Sequence, residues 1–354
     1  MMSDAILSAA AGSRSNQVAA SGEKMKRRIA VVGTGGSIAT LGRSPFDLID
    51  YGRFGRLLPI EQLLGLFPDL NGLADLVPVA FDTIHSEAVG PADWVALAKQ
   101  VMDLQSGDLR VDGTVVVHGT STLEESAWFL DLTVKIERPL VIVGAQRPPN
   151  AMGTDAAINL ANGIRAASAR PVAALGVVAV FNNEIHAARD VTKASTYALD
   201  AFRSDAFGPL GVVDADGSVA IYRNSARRLP SFSLAGLKGE LPRVDVAFAY
   251  AGADGVDIDA FTAAGSRAIV LAAMAPGTCS PGQLAALERA SRQGVVIVFS
   301  TRAGCGRVLN HTMLQERGFI AADNLTPQKA RILLMLAIAS GLSPEQMAEQ
   351  FLLR

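Results

Sequence analysis

The chain is poor in the residues that build disulfide frameworks and metal centres. Among its 354 residues there are only two cysteines, Cys279 and Cys305, and four histidines. Two cysteines are too few for a disulfide framework or a cysteine-based metal site, and the histidines lack the spacing of a motif such as HExxH. The sequence therefore does not predict a metal-dependent enzyme.

A strong charge imbalance and long apolar runs are also absent. The chain has 32 lysines and arginines against 34 aspartates and glutamates, a formal net charge of −2. This balance gives no electrostatic basis for binding nucleic acid or an anionic membrane surface. No apolar run approaches the roughly 20 residues that a membrane helix needs. We therefore expect a small-molecule ligand, with neither nucleic acid nor a membrane as partner.

The start of the chain has few large apolar side chains. Residues 1–24 are rich in Ala, Ser, Gly and Asn, and no continuous apolar stretch follows a positive charge. This composition argues against a secretory signal and favours disorder, because so few apolar groups do not offset the entropy of ordering the chain. We expect residues 1–27 to be a disordered extension and the protein to be cytoplasmic.

Short apolar runs are plentiful, and helical stretches separate them. Hydrophobic residues make up 49% of the chain, and its length suits two domains at roughly 100–200 residues each. Runs that are apolar throughout indicate strands buried on both faces, and alternation with helices indicates a parallel sheet. The predicted strands are Ile29–Val32, Thr114–Val117, Leu140–Val143, Gly176–Phe181, Val244–Tyr250, Ala268–Ala273 and Val295–Phe299.

A polar stretch rich in Gly and Pro divides these strands into two sets. We predict a two-domain α/β fold: a larger N-terminal domain with a doubly wound, mostly parallel sheet, and a smaller C-terminal α/β domain. The predicted boundaries are 28–221 and 243–354, with 222–242 as the linker. In the second domain the pattern predicts helix Gly282–Ser291 and a long amphipathic final helix, Pro327–Ser340, which Thr326 caps.

Ligands of open α/β sheets bind at the carboxyl ends of the strands, so the loops that follow predicted strands are where chemistry is expected. After the first strand, GTGGSIAT (33–40) has glycines that permit a tight turn, and Ser37 offers a hydroxyl at a predicted helix start. The segment equally suits a plain strand-to-helix turn. A dinucleotide site is a weaker interpretation, since position 38 is Ile rather than Gly, although Asp50 mimics the distal acidic residue.

The other loops are ambiguous when each is taken alone. HGTSTLEES (118–126) puts Thr120 at a strand end, while Thr122 and Glu125 have the spacing of a capping box, which by itself only starts a helix well. VGAQRP (143–148) follows the third strand and RDVTK (189–193) the fourth. An Arg-Asp pair with a nearby Lys is commonly a paired surface turn.

In combination these segments are far more specific. GTGGSIA, HGTSTLEES, VGAQRP, RDVTK, GPLG (208–211) and LTPQKARILL (325–334) occur in an order that resembles the bacterial L-asparaginase/glutaminase family, from about Arg28 to the C-terminus. The resemblance implies two α/β domains, no metal or other cofactor, and hydrolysis of a side-chain amide through an acyl-enzyme on a threonine. It also implies an intimate dimer at least, and usually a homotetramer that is a dimer of dimers.

The resemblance assigns catalytic roles to four residues. The first family motif reads TGGTIA, so its nucleophile falls on Ser37, and the flexible lid tyrosine falls on Tyr51. The threonine of the second motif is Thr120, and its paired lysine is Lys193. A desolvated lysine beside a hydroxyl can act as a base near neutral pH. The resemblance leaves open whether both hydroxyls attack in turn or one activates water.

An acyl transfer also needs N–H donors for the oxyanion, each typically worth about 10²- to 10³-fold in rate. From loop placement, we expect backbone amides around Gly36–Ser37 and Gly119–Ser121 to supply them.

The contacts to the amino-acid end of the substrate differ from the family pattern. The family's Ser-Gln/Glu pair is kept as Ser86 and Glu87, but the Asp of HGTDT, which binds the substrate's α-ammonium group, is Ser121. A family Asn, contributed by the neighbouring subunit, aligns with Thr278. A family Glu from the same subunit falls near His311 in a gapped alignment.

These departures favour a changed substrate. A substrate whose buried ammonium has no carboxylate partner loses about 2–5 kcal/mol of binding free energy. The expected substrate is an amide that lacks a free α-ammonium: a dicarboxylic monoamide, an N-substituted asparagine or a cyclic relative. The alternatives are a genuine L-asparaginase in which Ser121 is tolerated and Glu87 compensates, and a non-catalytic ligand-binding or sensor protein. A nicotinamide enzyme fits least well.

Overall fold

The computed structural model of the chain describes residues 26–107, 109–224, 232–237 and 240–353. The predicted extension, apart from its last two residues, and the middle of the predicted linker lie outside the described residues. The strands, numbered in chain order, are β1 Arg28–Gly33, β2 Thr40–Leu41, β3 Arg56–Leu57, β4 Asp75–Ala80, β5 Gly113–Val117, β6 Leu140–Val143, β7 Val177–Phe181, β8 Glu184–Ala187, β9 Thr192–Lys193, β10 Phe202–Arg203, β11 Gly211–Val213, β12 Val219–Ile221, β13 Val244–Phe248, β14 Ala268–Ala273, β15 Val296–Thr301 and β16 Ile320–Ala321. The α-helices are α1 Tyr51–Phe54, α2 Ile60–Gly65, α3 Pro91–Ser106, α4 Leu123–Thr133, α5 Ala156–Ser168, α6 Val256–Ala263, α7 Pro281–Arg292, α8 Thr312–Gln315, α9 Pro327–Ala339 and α10 Pro344–Leu353.

A large mixed sheet forms the N-terminal domain. Its strand order is β12-β11-β8-β7-β6-β5-β1-β4. The neighbouring strands from β4 to β7 pair in parallel, whereas the pairs β7–β8, β8–β11 and β11–β12 at the other side are antiparallel. The strands β5, β6 and β7 are buried along their whole length, which explains their continuous apolar runs. A separate parallel sheet, β13-β14-β15-β16, forms the C-terminal domain. The predicted two-domain α/β fold is confirmed.

Helices cover both sheets in layers. Helices α2 and α5 pack on one face of the large sheet, and α3 and α4 cover the other face. Helix α9 lies between α4 and the small sheet, where it contacts β13, β14 and β15. One apolar core therefore runs from the large sheet through α4 and α9 to the small sheet. The C-terminal domain is consequently packed against α4, the helix that follows β5.

The final helices differ from the sequence prediction. Helix α9 ends at Ala339 and is buried on nearly all sides, so it is not amphipathic, and a further helix, α10, follows it. An all-round apolar helix belongs in a core, and α9 occupies one because layers pack on both of its sides. Thr326 stands at the N-cap position before Pro327, but its side chain makes no capping hydrogen bond.

The predicted strands lie within two residues of the observed bounds at each end. Helix Gly282–Ser291 corresponds to α7, whose cap is the Ser280 hydroxyl, accepting from the backbone N–H of Gln283 at 3.1 Å. The sequence did not predict β4, a half-exposed edge strand that contains Pro78, or the short antiparallel strands. In the described part of the chain, no helix is long and apolar enough to cross a membrane.

Candidate active site

Two strand-to-helix loops meet at the carboxyl edge of the large sheet. Gly33 and Val117 are register partners at the ends of β1 and β5, and the backbone N–H of Thr34 donates to the Val117 carbonyl at 2.9 Å. Beyond them the two loops touch backbone to backbone. A Cβ atom on Gly36 would lie 2.1 Å from the Cα of Gly119, and Gly36 has a φ of 86°, so only glycine fits there. The loop that carries Ser37 is thereby held against the loop that carries Thr120.

The first hydroxyl pair joins Ser37 to Tyr51. Their side-chain oxygens are 2.8 Å apart, in the distance range of a hydrogen bond. Ser37 begins a single 3₁₀ turn, Ser37–Ala39, rather than a longer helix, and Tyr51 begins α1. The Thr40 hydroxyl donates to the Gly36 carbonyl at 2.9 Å and fixes the turn. Tyr51 is therefore placed to exchange a proton with Ser37.

The second pair joins Thr120 to Lys193. The Thr120 side chain is buried, and the ammonium of Lys193, on β9, donates to its Oγ1 at 2.9 Å. Burial lowers the pKa of Lys193 from its ordinary value near 10.5, while the charge of Glu124 opposes that shift. A larger fraction of Lys193 is consequently neutral near pH 7 than for a free lysine, which suits a group that accepts a proton.

Ser86 ties a third loop to the Thr120 loop. A Cβ atom on Gly119 would lie 2.4 Å from the Cβ of Ser86, so the two backbones are in close contact. The Ser86 Oγ accepts from the backbone N–H of Thr122 at 3.1 Å, and the Thr122 hydroxyl donates to the Ser86 carbonyl at 2.8 Å. The predicted capping box of Thr122 and Glu125 is therefore wrong, because that hydroxyl binds Ser86 instead of capping α4.

The remaining predicted binding residues lie at the surface. Glu87 and Ser121 are exposed, on the Ser86 loop and the Thr120 loop respectively. Thr278 is exposed in the turn after β14, in the C-terminal domain. His311 lies beside this turn, with its Nε2 3.3 Å from the Gly277 carbonyl. The positions aligned with the family's Asn and Glu are thus adjacent to each other, on a different domain from the Thr120 loop.

Family models cover almost the whole described chain. One, described as Asparaginase, N-terminal, matches residues 28–227, and the other, Glutaminase/Asparaginase C-terminal domain, matches residues 243–351. The chain belongs to the asparaginase family. It is accordingly an amidohydrolase, a hydrolase that acts on carbon–nitrogen bonds.

Individual relatives span most of the chain as well. It is 34% identical over 341 residues to L-asparaginase 2 of Bacillus subtilis, covering 95% of this chain and 89% of the relative. It is 32% identical over 329 residues to a glutaminase-asparaginase of Pseudomonas fluorescens, covering 91% and 89%. A crystal structure of a "probable cytoplasmic L-asparaginase" from Campylobacter jejuni superposes with a TM-score of 0.87 at 34% identity, covering 93% of this chain and 100% of the other.

A buried histidine supports the Thr120 loop of this asparaginase-family enzyme, a role that was not predicted from the sequence. His118 Nδ1 is 2.8 Å from the Gly119 carbonyl, which only accepts, so Nδ1 carries the proton. Its Nε2 then accepts from the Ser126 hydroxyl at 2.9 Å, and Ser126 Oγ accepts from the Trp94 indole N–H at 3.0 Å. Every hydrogen bond in this series has a donor and an acceptor when the imidazole ring is neutral, and the series holds the Gly119 peptide in place.

The buried His118 predicts a loss of stability in acid. Burial lowers its pKa from 6.5 to about 4, whereas an unfolded chain returns it to about 6.5. As pH falls from 6.5 to 4, the unfolded state therefore takes up a proton that the folded state does not. We expect roughly 3 kcal/mol of the free energy of unfolding to be lost over that window. Urea denaturation at pH 7 and pH 4.5, at one protein concentration, measures it.

The matched control for this prediction is His118→Asn, whose amide keeps a donor for the Gly119 carbonyl but does not titrate. Carboxyl groups contribute the same pH dependence to both proteins, so the difference between the two slopes isolates the histidine. Equal slopes in wild type and variant would contradict the assignment.

An aspartate holds the VGAQRP loop (143–148), which follows β6. Asp155 is buried, and its carboxylate accepts from the backbone N–H groups of Gln146 at 2.9 Å and Arg147 at 3.0 Å. Asn159 donates to the same carboxylate and to the Gly144 carbonyl. The VGAQRP segment is thus rigidly attached to α5.

In the described ranges, no group of three or more His, Cys, Asp and Glu side chains is arranged to hold a metal ion.

Proposed function

We propose that this amidohydrolase hydrolyses a small carboxamide through an acyl-enzyme formed on Ser37 or Thr120, with Tyr51 and Lys193 moving the protons. The observation that carries the proposal is the 2.9 Å hydrogen bond from Lys193 to the buried Thr120 hydroxyl. Beside it stands the 2.8 Å pair of Ser37 and Tyr51, on a loop in backbone contact with the Thr120 loop. A hydroxyl within hydrogen-bond distance of a group that can move its proton is the arrangement of an activated nucleophile, and each of these two hydroxyls has such a group.

In the first half-reaction a hydroxyl oxygen bonds to the amide carbon while its proton passes to its partner. For Thr120 that partner is neutral Lys193 Nζ. For Ser37 it is the Tyr51 phenol, which accepts the proton as it passes its own proton to the departing nitrogen. Collapse of the tetrahedral adduct breaks the carbon–nitrogen bond, the proton goes to nitrogen, and ammonia leaves an ester on the enzyme. Water then attacks the ester by the same proton path and releases the carboxylic acid. Backbone N–H groups around Gly36–Ser37 and Gly119–Ser121 are the proposed donors to the oxyanion.

We further propose that the substrate lacks a free α-ammonium group. Ser121 offers a hydroxyl, without charge, on the exposed side of the Thr120 loop, and Thr278 likewise offers only a hydroxyl. Neither neutralises an ammonium in a closed pocket. The Ser86 and Glu87 loop remains against the Thr120 loop to bind the rest of the substrate. The chemistry favours a dicarboxylic monoamide, an N-substituted asparagine or a cyclic relative.

A genuine L-asparaginase is the second candidate. Relatives 34% identical over most of the chain are named L-asparaginase, and the exposed Glu87 is an acidic group on a loop that contacts the Thr120 loop. A non-catalytic sensor is the third, but a binding protein has little use for two paired hydroxyls. A screen for ammonia release from amides with and without an α-amino group separates all three. No release from any amide would overturn the catalytic proposal.

We propose that the enzyme is a cytoplasmic homotetramer, built as a dimer of dimers. Thr278 and His311 lie on the C-terminal domain, where they are available to complete the site of a neighbouring subunit. Light scattering of the purified protein is expected to give at least the mass of a dimer. A fully active monomer, at the 37.0 kDa of one chain, would contradict this assembly. Cell fractionation tests the location.

A further inference from the structure

A lysine of the C-terminal domain is enclosed in the interior, away from the reacting groups. Lys329, near the start of α9, is only 1% exposed. Its ammonium donates to the carbonyls of Ala188 and Arg189 at 2.9 Å each, and to the carbonyl of Val191. An ammonium has three N–H donors, and all three are used here on one short segment of backbone.

That segment leads directly to Lys193. Residues 188–191 join the end of β8 to the start of β9, and Lys193 is the second residue of β9. Only Thr192 separates the last bound carbonyl, on Val191, from Lys193. The position of the Lys193 backbone, and hence the reach of its Nζ to Thr120, depends on where this loop is held.

The C-terminal domain grips the loop at a second point. The Arg189 guanidinium donates to the side-chain oxygen of Asn324 at 2.7 Å, just before α9. The start of α9 is itself fixed against α4, because the Trp128 indole N–H donates to the Lys329 carbonyl at 3.2 Å. Helix α4 begins directly after the Thr120 loop. One end of α9 therefore supports both members of the Lys193–Thr120 pair.

Burying an ammonium is costly unless charges and acceptors surround it. Burial lowers the pKa of Lys329 to about 8, a shift that Glu124, Asp190 and Asp131 oppose and Arg189 reinforces. Glu124 is itself buried, and its charge also acts on Lys193. A leucine or methionine would pack in this core without that cost, so a lysine here indicates a task that needs its three donors.

We propose that Lys329 is a positioning residue, which holds loop 188–191 from the C-terminal domain and thereby aligns Lys193 Nζ with the Thr120 hydroxyl. The inference rests on the proposed function in one respect, namely that Lys193 is the proton acceptor of the reaction. It adds that the second domain contributes to catalysis within its own subunit.

The test is Lys329→Met, which removes the three donors and keeps an unbranched apolar side chain. We expect kcat to fall by about 10- to 100-fold, the loss typical of a misplacement of about 1 Å, with KM changed less than about threefold. The control is Arg331→Met, which removes a hydrogen bond from α9 to the Val244 carbonyl of the small sheet but leaves the loop contacts. That variant is expected to keep a wild-type kcat per folded enzyme, even if its melting temperature drops.

A double-mutant cycle separates alignment from general destabilisation. Adding Lys329→Met to Lys193→Met is expected to cause little further loss, because the aligned group is already absent. Should Lys329→Met fail to fold, Asn324→Ala removes the second anchor of the loop, and we expect it to lower kcat about three- to tenfold.

The outcomes distinguish this proposal from the mechanism beneath it. Near-normal turnover in Lys193→Met would overturn the proposed function. A severely impaired Lys193→Met together with wild-type kcat in folded Lys329→Met, or in Asn324→Ala if Lys329→Met does not fold, would overturn only the positioning role. A loss in Lys329→Met that multiplies fully with that of Lys193→Met would also overturn it.

Discussion

Replacing Lys193 by Met or Thr120 by Ala is expected to lower kcat by about 10²- to 10⁴-fold, the usual contribution of a proton acceptor, while the fold is retained. Lys193 is only half-buried and hydrogen-bonds the buried Thr120 hydroxyl directly, so its loss leaves that oxygen without a base. Ser37→Ala is expected to be comparably severe, because it removes the partner of Tyr51. Steady-state release of ammonia measures each variant.

Non-additivity is the sharper part of this result. Combining two of the three replacements is expected to add little, since members of one catalytic unit fail together. Lys135→Met is the matched control, because Lys135 is a surface lysine paired only with the nearby Glu137 in the described contacts. Near-normal turnover in Thr120→Ala or in Lys193→Met would contradict the mechanism. Losses that multiply in the double variants would mean that the groups act independently.

The second large effect concerns the choice of substrate. We expect L-asparagine to be a poor substrate and succinamate, the matched amide without the α-amino group, to be turned over better. Ser121 carries no charge to neutralise the ammonium, and a missing partner for a buried charge costs about 2–5 kcal/mol, or about 30- to 4,000-fold. Side-by-side kcat/KM values decide the matter, since their ratio measures discrimination between competing substrates.

Ser121→Asp introduces the acidic group of the family pattern and is expected to shift the preference towards asparagine. Thr278 and the region of His311 limit how complete that shift is, because they also depart from the family pattern. Ser233→Asp adds the same charge at an exposed position between the two domains and serves as the control. If the wild-type enzyme prefers asparagine over succinamate by the margin of a buried ion pair, the altered-substrate proposal is wrong and Glu87 becomes the candidate for the charge.

The sequence predicted the parallel core of both sheets to within two residues, because strands buried on both faces need apolar residues throughout. That requirement is local and is visible in one dimension. It fails where burial is partial or strands are short: β4 is a half-exposed edge containing Pro78, and β11 and β12 have three residues each. The same reasoning mistook α9 for an amphipathic helix, whereas packing layers on both of its sides bury even Lys329.

The candidate site was found through the order of its motifs, and each loop alone was ambiguous. Motif order assigned catalytic roles to Ser37, Tyr51, Thr120 and Lys193, and those roles stay predictions. It contained nothing about the hydrogen bonds that Ser126 and Trp94 make behind His118, or that Asp155 makes to the VGAQRP loop. Those residues are ordinary in sequence. The expected capping box failed for a related reason: the Thr122 hydroxyl donates to the carbonyl of Ser86, 36 positions away, and accepts no hydrogen bond from the first turn of α4.

By itself, then, the sequence determined which fully buried segments are strands, which family the motifs resemble, and which side chains carry reactive groups. The tertiary structure alone decided which loops meet. Strand order and register set β5 beside β1, so that Gly36 contacts Gly119, and the packing of α9 between two layers brings Lys329 to carbonyls some 140 residues away in the chain. Local propensity reports how a segment is buried, whereas the partners of a buried polar group depend on every segment packed around it, and a single sequence does not state those contacts.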